Sequence, residues 1–170
     1  MAGVDEENLY RAARLEKLAA LRQLGIEPYP YAFPVTATAA ALDEKYAGLA
    51  TATSTEDAVA VAGRVRALRN NAMFVDLHDA TGKIQIFNHK DFLPPEQFAL
   101  LKLLDLGDIV GVEGKVRRTP RGELTVNAGK VTLLTKSLLP LPEKYHGLAD
   151  LETRYRQRYL DLIMSDDSRA

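Results

Sequence analysis

The chain has 170 residues, three histidines, no cysteine and a formal net charge of −1, long enough for one ordinary domain plus an extension with a core of its own. Without cysteine there are no disulfides or thiolate metal sites, and no two of His78, His89 and His146 stand at ligand spacing, so no metal site is expected. No apolar stretch approaches the ~20 residues needed to cross a bilayer, and the acidic opening Met1–Glu7 lacks the basic start and apolar run of a secretion signal; a soluble, cytoplasmic protein with no membrane partner is expected.

The first element is a helix from Glu6 to Leu24, in which Leu15, Leu18 and Ala19 recur at helical spacing among good helix formers. Gly25 suits its C-terminal cap, and Pro28 and Pro30 stop continuation. Arg11, Arg14 and Arg22 project within about a quarter-turn of one another at ~100° per residue; this basic face either touches RNA or is solvated. Residues 29–55, rich in Ala, Thr and Pro, read as a connector with a short helix at Ala39–Tyr46.

The pattern changes at Val59. Val59, Val61, Val65 and Ala67 alternate with Arg64 and Arg66 as in a half-buried strand, and Asn70-Asn71 forms a turn. A second strand from Ala72 to His78 places Met73, Val75 and Leu77 on one face, Asp79–Gly82 turns the chain, and a third strand from Lys83 to Asn88 buries Ile84 and Ile86. Pro94 and Pro95 open a helix that carries Phe98, Leu101 and Leu104 inward and ends near Gly107. A fourth strand, Asp108–Arg117, points Val110, Val112 and Val116 inward. The basic loop Arg118–Gly122 leads into a last strand or bulged pair of strands, Glu123–Thr135, and beyond Pro140 and Pro142 a polar helical stretch runs from about Asp150.

Three strands, one helix and two strands is the order of the five-stranded OB-fold barrel. A ferredoxin-like order requires a helix after the first strand, and there is no room for one between Leu68 and Ala72. The expected class is therefore mainly β with flanking helices (α+β), divided into an N-terminal helix and connector (1–57), an OB-fold domain (58–138) and a following segment (139–170).

Charge is uneven along this plan. Val61–Lys136 holds twelve Lys and Arg against eight Asp and Glu, a local excess that suits either a confined polyanion site or ordinary surface charge. OB barrels bind oligonucleotides across strands two and three, flanked by the first-to-second and fourth-to-fifth strand loops. Both loops are basic here: Arg66 and Arg69 in the first, Arg117, Arg118 and Arg121 in the second.

With Val75, Ile84 and Ile86 inward, period two turns Phe74, Asp76, His78, Gln85 and Phe87 outward. Phenylalanine beside an amide suits an unstacked base: the ring stacks, and glutamine's adjacent donor and acceptor match the N3–H and O4 of uracil. The alternatives are that Phe74 or Phe87 is covered by the N-terminal helix or another domain, and that Gln85 and Glu123 are plain surface residues. No Ser/His/Asp set, paired-carboxylate pattern or phosphate-cradling loop is present. Gly107, Gly111 and Gly114 mimic a glycine-rich motif but do not open a helix. No catalytic residue is expected.

The runs Val61-Ala62-Gly63-Arg64, Phe74-Val75-Asp76-Leu77 followed by Asp79, and Lys83-Ile84-Gln85 resemble the anticodon-binding domain shared by lysyl-, aspartyl- and asparaginyl-tRNA synthetases. The block LLTKSLLPLPEKYHGLADLETRYRQRYLDLI from Leu133 to Ile163, with KLAALRQLGIEPYP near the start, is similar to the lysyl branch of the bacterial class II enzymes. The resemblance implies that Phe74 stacks on the central anticodon uridine, that Gln85 reads its edge, that Glu123 contacts an anticodon base, and that an arginine ending the first strand joins them. Counting forward from Arg64 gives Arg69; counting back from Phe74 lands on Ala67, which leaves Arg66 as the rival.

The resemblance further implies tRNA(Lys) as partner and a full-length homodimeric ligase using ATP and Mg2+, formed mainly through class II motifs that these residues do not match. The chain then ends about where the first motif's helix begins. The competing functions are a freestanding single-strand RNA binder without anticodon preference and a module whose aromatic face docks on protein.

Overall fold

The structure, a computed structural model, describes residues 2–141, 151–165 and 168, with side chains from Asn8 onward except 151–153. Helix α1 (Ala2–Gln23) ends in a Schellman cap. Gly25 sits at φ +73°, its N–H donates to the Arg22 carbonyl, and the Ile26 N–H reaches back to Leu21, each at 3.0 Å. The inward stripe of α1 is Arg14, Leu18 and Leu21; Leu15 and Ala19 face solvent.

Arg14 is the reason the stripe differs from the expected one. Its guanidinium is buried and donates to the carbonyls of Ser137 (3.1 Å), Leu139 (2.9 Å) and Leu106 (3.1 Å). Of the three arginines expected on one basic face, Arg11 and Arg22 are exposed and Arg14 is turned inward. Lys17 pairs with Asp105 at 2.6 Å, and Lys136, wholly buried, binds Asp105 at 2.6 Å and Asp108 at 2.8 Å. Burial opposes the charge on Asp105, but hydrogen bonds from Lys136 and Lys17 outweigh it and hold that carboxyl below its ordinary value.

Helix α2 (Ala39–Lys45) is capped by Thr38 and docks on the barrel through Asp79. One Asp79 oxygen accepts from the Ala39 N–H at 2.7 Å, and the other from the N–H groups of Thr81 (2.7 Å) and Gly82 (2.9 Å). The same carboxylate thus closes the hairpin turn and covers a helix terminus.

The strands are β1 (Thr53–Arg69), β2 (Phe74–His78), β3 (Lys83–Phe87), β4 (Ile109–Arg118) and β5 (Leu124–Thr135). They close in the order β1-β2-β3-β5-β4, with β3 and β5 the parallel pair. Strand β1 begins six residues before Val59 because its polar first segment pairs with the end of β4, Thr53 opposite Arg118 and Ser54 opposite Arg117, while the Thr55 hydroxyl donates to the Val116 carbonyl at 2.9 Å. Alternate residues of the five strands, among them Val65, Leu77, Ile86, Val112, Val116, Val126 and Leu133, fill the interior. Each buried side chain of this size contributes roughly 1.5–3 kcal/mol. Helix α3 (Gln97–Leu101), between β3 and β4, adds Leu100 and Leu101 to the same cluster, and Leu104 follows just beyond it.

The strand ladders shift register at four points, and an identifiable residue sets two of them. In β1, Val65 opposes Leu77 and Ala67 opposes Asp76, so Arg66 is the extra residue. In β4–β5 the register jumps at Gly114, where a Cβ would lie 2.0 Å from the Asn127 carbonyl oxygen and only glycine fits. The second strand was expected to start at Ala72. Instead Asn70, Asn71 and Ala72 all adopt positive φ (51°, 54° and 63°). This left-handed turn is held by the buried Asn88, whose amide donates to the Ala72 carbonyl at 2.7 Å. Met73 is consequently exposed rather than inward.

The C-terminal helices are α4 (Leu151–Arg156) and α5 (Arg158–Met164). Pro142, His146 and Asp150, together with nearby parts of the Leu133–Ile163 block, lie outside the described residues.

Candidate nucleic-acid interface

The β1 bulge decides which first-strand side chains share a face with Phe74. Before it, Arg64 lies opposite outward-facing His78; after it, Leu68 pairs with the buried Val75 and Arg69 with Phe74. One extra residue shifts the outward parity from even to odd numbers, so Arg69 joins Phe74, Asp76, Gln85 and Phe87.

Of these, Arg69, Phe74 and Gln85 wall a cleft of about 810 Å³ together with Lys83, Arg117, Arg121 and Glu123. Phe74 and Phe87 stand opposite each other on β2 and β3, with ring centroids 4.9 Å apart. Phe87 is sheltered by its own neighbours: His89 stacks on it at 5.3 Å, Phe92 meets its edge at 6.5 Å, and the Arg117 guanidinium lies 4.4 Å over the ring. Phe74 lines the cleft, with Phe87 as its ring neighbour. Burial lowers the Arg117 pKa, yet a guanidinium stays charged at neutral pH, and its buried Nε has no partner.

A directed chain of hydrogen bonds crosses the cleft floor. Arg69 Nη2 donates to Asp76 at 2.7 Å and to the Gln85 Oε1 at 3.0 Å. Gln85 Nε2 donates to the Thr125 Oγ1 at 2.9 Å, and the Thr125 hydroxyl donates to the Glu123 carbonyl at 3.3 Å. At the mouth, Lys83 pairs with the Glu123 carboxylate at 3.2 Å. The arrangement offers an aromatic plate, an amide with one lone pair and one N–H to spare, and guanidinium groups at the rim, the parts needed to hold a single unstacked base and its phosphates.

Of the candidate residues, Arg69, Phe74, Gln85, Arg117, Arg121 and Glu123 meet at this cleft. Arg66 is placed elsewhere: it donates to the Ile163 carbonyl and lines a separate groove with His78, Leu162 and Ile163. Arg118 serves the loop itself, donating to the carbonyls of Gly122 and Tyr46, each at 2.7 Å. Sequence reasoning did not single out Thr125, Lys83 or a role for Asp76. Period two from Glu123 puts Thr125 on the outward face, but the parallel β3–β5 pairing that sets it opposite Gln85 has no local sequence signal. Among the described residues there is no group of three metal-ligating side chains, and no helix is long and apolar enough to cross a membrane.

Residues 59–134 match the family model for the tRNA anti-codon type of OB-fold nucleic acid binding domain. The lysine–tRNA ligase of Rhizobium meliloti (strain 1021) is 61% identical over 156 residues, covering 92% of this chain and 31% of that protein. The Agrobacterium fabrum (strain C58) enzyme is 54% identical over the same length, and that of Moorella thermoacetica is 48% identical over 166 residues, 33% of its length. Spanning about a third of the length of the curated relatives it matches, the chain resembles that part of the lysine–tRNA ligases, and its barrel is an OB fold similar to those of the tRNA anti-codon model.

Proposed function

We propose that this chain binds tRNA(Lys) through its U-rich anticodon, as the anticodon-recognition part of a ligase that attaches lysine to tRNA. The central uridine stacks on Phe74, Gln85 reads its edge beside Arg69, Glu123 contacts a neighbouring anticodon base, and Arg117 and Arg121 hold the backbone. In this reading residues 58–138 are the recognising domain, and the whole protein works in the cytoplasm as a homodimer with ATP and Mg2+ at a catalytic domain outside these residues. The observation that carries the reading is the convergence of Phe74, Gln85 and Arg69 on one cleft, brought together from three strands.

Titrating the chain with an anticodon hairpin carrying UUU, and with the same hairpin carrying UCU, tests it. Tighter binding of UUU, lost in Gln85→Ala, is expected. Equal binding of the two with a steep salt dependence would favour a single-strand binder without anticodon preference.

A further inference from the structure

Uracil and cytosine differ at the Watson–Crick edge by reversal. Uracil presents an acceptor at position 4 and a donor at 3; cytosine presents the donor at 4 and the acceptor at 3. A glutamine amide carries one donor and one acceptor on groups of nearly equal size, and a half-turn about its terminal bond exchanges them. A base fixed in its plane by stacking is therefore read as one pyrimidine or the other according to which way the amide faces. A free amide turns to suit either.

The cleft floor leaves Gln85 no such freedom. On one side stands Arg69, a donor without any acceptor, anchored by Asp76; only Oε1 can face it. On the other stands Thr125, fully buried, with its hydroxyl proton directed to the Glu123 carbonyl. With the proton so directed its oxygen accepts, and Nε2 faces it at 2.9 Å. All the bonds in the chain run in one direction, from guanidinium to amide to hydroxyl to backbone carbonyl. A half-turn of the amide would set N–H against N–H at Arg69 and force the Thr125 hydroxyl to turn away from the Glu123 carbonyl. The cost falls on both ends at once.

We infer that Thr125 is a positioning residue that fixes the orientation of the Gln85 amide, and so sets the preference of the cleft for a uracil edge over a cytosine edge. This rests on the anticodon reading proposed above. Thr125 needs no contact with the RNA; it acts through Gln85 from the parallel partner strand, where Gln85 and Thr125 are in register.

The test compares wild type with Thr125→Val and Thr125→Ser in the full chain, titrated with the UUU and UCU hairpins, alongside thermal unfolding. Valine keeps the buried shape and removes the acceptor; serine keeps the hydroxyl. The UUU-over-UCU preference is expected to fall about fivefold in Thr125→Val, as for loss of one buried hydrogen bond, mainly through tighter UCU binding, and to return in Thr125→Ser. Asp76→Asn, which loosens Arg69, should shift the ratio the same way and serves if the valine variant unfolds. A preference retained in both Thr125→Val and Asp76→Asn, but lost in Gln85→Ala, overturns the orientation lock and leaves anticodon reading intact. A wild type that binds both hairpins equally overturns the two together. A merely structural role for Thr125 would weaken both hairpins in parallel and leave the ratio unmoved, which also overturns the lock.

Discussion

Two clusters of arginine, lysine and aspartate hold opposite kinds of position in this molecule. At the seam between α1 and the barrel, Arg14, Lys17 and Lys136 meet Asp105, Asp108 and a set of chain carbonyls; Lys136 and Asp108 are entirely out of solvent. At the cleft over β2, β3 and β5, Arg69, Arg117, Arg121 and Lys83 stand with Glu123, Asp76 lies behind Arg69, and Arg117 and Arg121 keep donors free. The residue types are the same. What separates a staple from a candidate binding surface is access: a guanidinium buried against three carbonyls has no donor within reach of a phosphate, whereas one lying over an aromatic ring at a cleft wall does.

The sharpest way to break the comparison is to remove one charge from the seam. Lys136→Met leaves the buried Asp108 carboxylate without its ion-pair partner, and such uncompensated charges cost about 3–5 kcal/mol. Denaturant unfolding should show a loss of that size. A change below about 1 kcal/mol would mean that backbone donors alone, such as the Ser137 N–H at 2.8 Å, satisfy Asp108, and that the seam is not a staple.

The contrast also explains how much was legible beforehand. The succession of strands along the chain, the α2 and α3 helices and the inward valines follow from alternation and turn residues, because those signals are local. The inward turn of Arg14 was not legible: an arginine at a core position of an amphipathic helix reads as surface until the carbonyls that receive it, more than ninety positions away in sequence, are known. The choice between Arg66 and Arg69 was open for a related reason. A bulge adds one residue to one strand without a characteristic sequence, and period two counted through it gives the wrong face from Ala67 onward. Phe74, Gln85 and Glu123 needed no such correction to be placed, since β2 and β3 are short and regular and Glu123 adjoins a glycine turn.

That bulge supplies the next test. Arg69 donates directly to Gln85, while Arg66 lies against α5. Arg69→Ala should weaken binding of the UUU hairpin by roughly 1.5–3 kcal/mol, the range for a hydrogen bond to a charged group. Arg66→Ala should change it by less than about 0.5 kcal/mol. The reverse order would place the arginine contact on the other side of the bulge and require the barrel face to be rotated by one strand position.

The smallest effect separates two arginines within the same loop. Arg118 is committed to the carbonyls of Gly122 and Tyr46, so it shapes the loop and ties it to the end of α2. Arg121 is exposed at the cleft rim and makes no hydrogen bond or ion pair among the described residues. An arginine in that state is suited to a phosphate: it is already outside, fully charged, and needs no internal bond broken before it binds. A phosphate contact carries no base identity, so Arg121→Ala should weaken the UUU and UCU hairpins by the same factor. Releasing one fewer counterion from single-stranded RNA flattens the slope of log affinity against log salt by about 0.7. Arg118→Ala should act differently, lowering thermal stability as the loop loses two carbonyl contacts, with a slope that stays near wild type. If instead Arg121→Ala changed the preference between the hairpins, the rim arginine would be reading a base, and the division between a committed clamp and a free electrostatic contact would have to be redrawn inside this loop.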